Sequence, residues 1–235
     1  MSAIIVCGSG PSLLKVPFDE VGLPYAAVST AIRFTPLPAY WILIDRLSRA
    51  HQRDPSNPAH RGPDAWTAAR DRRLKKVGPA DRGHFFEKGF ENMTVVPRRA
   101  DQSFLGDGPA LSLKFNRSML FAIEWLMKCA GFQTLIFAGC DLKMDPEHDL
   151  LGGLEATPKE RRQRVIRSRD RAHGVELRWL AEFHEIALAK GFRWLNWTPG
   201  GPLATILPAF DGHRQLHQGL GGEVGIASGL HRPGD

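Results

Sequence analysis

The residues best suited to chemistry stand in a few short clusters. The first is the turn Gly8, Ser9, Gly10, Pro11 and Ser12, which directly follows the apolar run Ala3-Ile4-Ile5-Val6-Cys7. A strand that ends in a glycine-rich turn and passes into a helix start can cradle phosphate. Its glycines tolerate positive φ and carry no Cβ to push a ligand away. A proline such as Pro11 suits the first helical turn, whose N–H groups meet anionic oxygens. The spacing is neither the dinucleotide G-x-G-x-x-G, because Leu13 stands at the third glycine, nor a Walker loop, because no Gly-Lys-Ser/Thr follows. A tight turn with no ligand is the other use of such a sequence.

Two carboxylates close apolar runs in the same manner. Asp141 follows Thr134-Leu-Ile-Phe-Ala-Gly-Cys, and Asp45 follows Trp41-Ile-Leu-Ile. At the carboxyl ends of parallel strands a carboxylate can accept from a ribose or base, hold a metal, or simply cap the next turn. Asn116 and Ser118 open a helical stretch and offer polar groups to a ligand. His173 ends an arginine-rich stretch just before another helix, where a group with an unperturbed pKa of about 6.5 suits a general base. The acidic run Asp145, Glu147, His148, Asp149 is the composition of a solvated loop, and no metal site is assigned to it.

These groups need elements to position them. Short apolar strands are predicted at residues 3–7, 25–29, 40–44, 93–96, 134–138 and 193–197. Most are continuous hydrophobic runs, the pattern of strands covered on both faces. Helices are predicted at 115–130, with Met119, Ile123, Leu126 and Met127 on one stripe, and at 175–190, stopped by Gly191. This rhythm predicts an α/β fold: a Rossmann-like, doubly wound, mostly parallel sheet in one domain over residues 1–210. Two basic stretches break the rhythm, an insertion at 50–92 and one at 145–171 that reads as a lid beyond a strand's carboxyl end. Residues 211–235, rich in Gly and His, read as an extended or loosely packed tail.

Composition bounds the function without choosing it. Of 235 residues, 43% are hydrophobic and 24% charged, as in a soluble globular chain, and no apolar run is long enough to span a bilayer. The first residues lack a signal-peptide pattern, and Cys7, Cys129 and Cys140 lack metal-like spacing. Together these imply buried thiols in a reducing cytoplasm. The net charge of +6 favours an anionic partner.

The Gly-Ser-Gly-Pro-Ser-Leu turn, Gly139-Cys140-Asp141 and Asn196-Trp197-Thr198-Pro199 occur in this order. In this the chain resembles the bacterial CMP-sialic-acid sialyltransferases. It also resembles a wider group of motility-associated proteins, 6-hydroxymethylpterin diphosphokinase-like proteins and small phage or prophage members. The resemblance implies that Gly8, Ser9, Gly10, Pro11, Ser12, Asn116 and Ser118 bind the nucleotide. His173 precedes Pro199 at the separation of the family's general base from the proline of its last strand motif. The chain departs from the family at Ser29-Thr30, which stand where a donor-binding asparagine is found. Its two tyrosines, Tyr25 and Tyr40, both fall in strands rather than in the lid, so the phosphate-stabilising role passes to Arg164, Arg167 and Arg169.

Three functions follow as expectations. One is a transferase using a nucleotide-activated sugar donor, with no cofactor required, Asp141 on the nucleotide and Asp45 on ribose or acceptor. Another is a Mg-dependent diphosphokinase with Asp45 and Asp141 on the metal. A basic nucleic-acid-binding protein on a transferase fold is the third, resting on charge and arginine runs alone.

Overall fold

The computed structural model describes residues 2–47, 51–85, 89–113, 118–140, 177–197 and 202–212. Among these residues seven strands form one sheet, and every pairing in it is parallel. They are β1 (Ala3–Cys7), β2 (Tyr25–Val28), β3 (Tyr40–Ile42), β4 (Lys75–Pro79), β5 (Met93–Val96), β8 (Thr134–Ala138) and β9 (Arg193–Asn196), in the spatial order 5-4-3-2-1-8-9. Two short strands, β6 (Arg98–Arg99) and β7 (Leu111–Ser112), pair separately. The chain is thus an α/β protein with a doubly wound, Rossmann-like sheet, as the apolar runs predicted.

Strand alternation divides the core into two layers. Ile4 and Val6 of β1 face one, where α3 (Ser118–Lys128) and α4 (Leu177–Ala189) pack through Ile123, Leu126, Leu180 and Phe183. Ile5 and Cys7 face the other, against Leu13, Phe18, Ile32 and Phe34 from the turns after β1 and β2, and against the alanines of α2 (Ala65–Arg70). Phe18 belongs to the one-turn helix α1 (Phe18–Val21). Both long helices lie within the stretches their apolar patterns predicted, and α4 ends before Gly191, whose φ of 83° supplies the left-handed stop. α3 is buried nearly all round rather than on one stripe, because the 104–112 loop covers its outer side. That loop is held by Glu124, which accepts from the N–H groups of Leu105 and Ser112, both at 2.9 Å, and by Lys128 on the carbonyls of Gly106 and Ala110.

The 50–92 stretch is not a mere solvated insertion: it supplies α2 and β4, a strand between β3 and β5. Asp64 caps α2 by accepting from the N–H of Trp66 and Thr67. β4 escapes a hydrophobic reading because its sequence is Lys-Lys-Val-Gly-Pro. Lys75 lies over the Trp125 ring, and Lys76 is fully buried with its ammonium turned to the carbonyl of Asp71. The aliphatic stems pack while the charged ends find partners, and burial holds the Lys76 pKa below the usual lysine value. Cys7 is buried and its thiol pushed up to about 12, so it is an inert core group, whereas Cys129 is exposed rather than buried. Among the described residues no helix is long and apolar enough to cross a membrane.

Candidate functional site

The sheet order reverses at β1, with β2 on one flank and β8 on the other. Cys7 is level with both Ala27 and Ala138, so the turns leaving the three strands emerge side by side at the carboxyl edge. In open parallel sheets this reversal point is where ligands bind.

The turns after β1 and β8 are locked together. The Gly8 N–H donates to Ala138 O at 2.8 Å, the Gly10 N–H to Gly139 O at 2.7 Å, and the Gly139 N–H to Ser12 Oγ at 3.1 Å. Neither Gly8 nor Gly10 uses the positive φ open to glycine; Gly10 is extended, at φ −76°. Gly8 is required instead by close approach, since a Cβ there would sit 2.4 Å from Gly139 O. Gly139 carries the positive φ, 66°, and a Cβ on it would lie 2.4 Å from Gly8 O. Two N–H groups that a phosphate cradle would use are therefore spent on β8. Pro11 opens only a five-residue 3-10 turn, not an α-helix.

Hydroxyls remain at this edge. Thr30 Oγ1 donates to Ser9 Oγ at 3.1 Å, joining the ends of β1 and β2. Ser29, just after β2, has φ 51°, rare for a residue with a side chain, and its carbonyl accepts from Trp41 Nε1 at 2.9 Å. Ser29 Oγ lies 3.4 Å from Nε2 of the buried His51. Asp45, beyond β3, is 60% exposed and has Arg82 Nη1 at 4.0 Å. Next to it at the ends of β4 and β5, the buried Arg98 grips Asp81 with Nε at 2.8 Å and Nη2 at 2.5 Å. That guanidinium is the main reason the Asp81 carboxyl titrates below its usual range. Ser118 starts α3, which runs back toward the start of β8, so it lies toward the same edge.

The edge therefore gathers Gly8, Ser9, Gly10, Ser12, Ser29 and Asp45. Asn116, Asp141, Arg164, Arg167, Arg169 and His173, the 145–171 stretch and all but the first two residues of the 211–235 tail lie outside the described residues. Among the described residues no cluster of three or more His, Cys, Asp or Glu could hold a metal. His51, Asp81 and Arg98 escaped the sequence analysis because nothing in their local spacing marks them. Only long-range folding brings them to the edge.

The segment carrying His51 is fixed by tight packing. Gly62 donates its N–H to Arg33 O at 2.8 Å, and a Cβ there would sit 2.0 Å from Ile32 O. His60 is buried edge-on to Phe34 at 4.9 Å, its Nδ1 accepting from the Asp54 N–H at 2.7 Å. Burial, followed by the charge of Arg33, holds its pKa below the usual histidine value. The neutral ring's contribution to stability is full above the ordinary histidine pKa, about 6.5, and is lost as pH falls through the lowered folded value. Asparagine can keep the acceptor without titrating. His60→Asn is expected to remove part of the stability loss seen by urea unfolding from pH 7.5 to 5. Identical pH slopes in parent and variant would contradict this assignment.

No family model, no curated protein and no solved structure matches the chain.

Proposed function

We propose that the protein is a nucleotide-sugar-dependent transferase whose donor phosphate sits where the sheet order reverses. The observation that carries this reading is the gathering of the 8–12 turn, Ser29, Thr30 and Asp45 at one carboxyl edge. Because the Gly8 and Gly10 N–H groups are already bonded, donor contacts fall mainly on the hydroxyls of Ser9, Ser29 and Thr30. Asp45, exposed at the end of β3, is suited to a ribose or acceptor hydroxyl.

The remaining roles come from the sequence. Asn116, Ser118 and Asp141 complete the nucleotide side. His173 takes the acceptor's proton as its oxygen displaces the nucleotide from the sugar. Arg164, Arg167 and Arg169 offset the charge that builds on the departing phosphate. No resident metal is needed for this chemistry, and a reducing cytoplasm is the compartment it implies.

A thermal-shift panel of CMP-, UDP-, GDP- and ADP-linked sugars, with and without Mg²⁺, tests the reading. A ligand at a hundredfold excess over its Kd stabilises the native state by about 2.7 kcal/mol, a rise of roughly 5–10 °C at this chain length. The expected result is a rise with a cytidine-linked sugar that does not depend on Mg²⁺. A rise seen only with Mg²⁺ and a nucleoside triphosphate would favour diphosphoryl transfer, and no rise with any nucleotide would overturn the proposal.

A further inference from the structure

We infer that Ser29 is a nucleophile activated by His51, giving the carboxyl edge a covalent acyl-transfer activity toward activated carboxylic esters. This inference gives a second use to a hydroxyl of the proposed donor site, and it does not depend on sugar transfer. Three observations converge on Ser29. Its φ of 51° places a side-chain-bearing residue in the left-handed region at the junction of β2 with a 3-10 turn (Ser29–Arg33). Strain of this kind persists only where the surroundings impose it. A sharp strand-to-helix elbow at the carboxyl edge of a parallel sheet is the backbone form that presents a serine nucleophile in α/β hydrolytic enzymes. The strain is held from below, because the Ser29 carbonyl is pinned by Trp41 Nε1 at 2.9 Å.

The second observation is the base. His51 Nε2 lies 3.4 Å from Ser29 Oγ, within the looser range of nucleophile–base pairs without substrate. The histidine is 3% exposed and its ring is 6.5 Å from that of Trp41. The third is its delivery. His51 stands 22 residues from Ser29 in sequence, and its segment docks on the turn after β2 through Gly62, which leaves no room for a Cβ. The pair is thus held by the fold rather than by neighbouring sequence.

The step balances without a cofactor. Ser29 Oγ bonds to the ester's carbonyl carbon while its proton passes to His51 Nε2. The alcohol leaves with that proton, and an acyl-Ser29 ester remains. Water, deprotonated by the same nitrogen, then releases the carboxylic acid and restores the hydroxyl. In total, ester and water become acid and alcohol.

A fluorophosphonate probe tests the pair directly. It transfers its phosphonyl group to an activated serine oxygen and loses fluoride, and peptide mass spectrometry locates the adduct. The expected adduct is on Ser29. It should be absent from Ser29→Ala, which keeps the backbone strain and loses only the oxygen. His51→Gln, shown by its melting curve to be folded, should label at least about 10²-fold more slowly; should it unfold, the slowing of parent labelling as pH falls through the histidine range takes its place. An adduct on another serine, no adduct where a control serine hydrolase labels fully, or labelling indifferent to both His51 and pH would overturn the inference.

Discussion

His173→Ala is expected to lower the turnover of sugar transfer by about 10²–10⁴-fold, the usual contribution of acid–base catalysis, with donor affinity little changed. The split follows from the role. A general base acts on the acceptor's proton in the transition state and leaves the phosphate contacts alone. Its removal therefore falls on kcat rather than on donor binding. An unperturbed histidine loses its basic form below a pH of about 6.5, so the acidic limb of the pH–rate profile should vanish with it. Steady-state kinetics with a cytidine-linked donor, measured across pH, checks both. A variant that turns over at near the parental rate would remove His173 from the mechanism.

Gly139→Ala is expected to destabilise the fold by about 2–5 kcal/mol, combining a left-handed backbone penalty of about 1–2 kcal/mol with overpacking of about 1–3 kcal/mol. Its φ is 66°, and the new Cβ would meet Gly8 O at 2.4 Å and Leu13 Cβ at 2.7 Å. Backbone and core cannot both give way there, because the turns on either side are tied by three hydrogen bonds. Gly22 supplies an internal control. Its φ is 64°, but a Cβ there meets nothing within 4 Å, so Gly22→Ala isolates the backbone penalty. Thermal unfolding should place Gly139→Ala roughly 5–15 °C below the parent, and Gly22→Ala only a few degrees below. Equal shifts in the two variants would mean that the close approach of the β1 and β8 turns does not exist.

Most of the sheet was legible in the sequence because a strand buried on both faces must be apolar throughout, as Ile4, Ile5, Val6 and Cys7 are. β4 was not, since two lysines, a glycine and a proline fill it. Its burial rests on the ring of the distant Trp125 beneath Lys75 and on the nearby Asp71 carbonyl that meets Lys76. The 8–12 turn was found for its glycines, but one of them, Gly8, has a reason the sequence does not show. Gly8 makes room for β8, and the left-handed residues at this edge are Gly139 and Ser29. Composition flags a glycine without telling whether a ligand or a neighbouring strand occupies the space it leaves. The Ser29–His51 and Arg98–Asp81 pairs were invisible for the same reason: each joins residues whose proximity only the topology creates.

The central claim is that a nucleotide occupies the edge where the sheet order reverses, and Gly10→Val addresses it most directly. Gly10 is extended, with φ −76° and ψ 160°, a conformation valine adopts readily. Bulk is thus added to the turn without imposing a backbone conformation that valine avoids. Calorimetric titration of parent and variant with a cytidine-linked sugar, beside their melting curves and circular dichroism, gives the answer. The account predicts a folded variant whose nucleotide affinity falls at least about 100-fold, a loss of roughly 2.8 kcal/mol of binding free energy. A folded Gly10→Val protein that binds the nucleotide as tightly as the parent would contradict it.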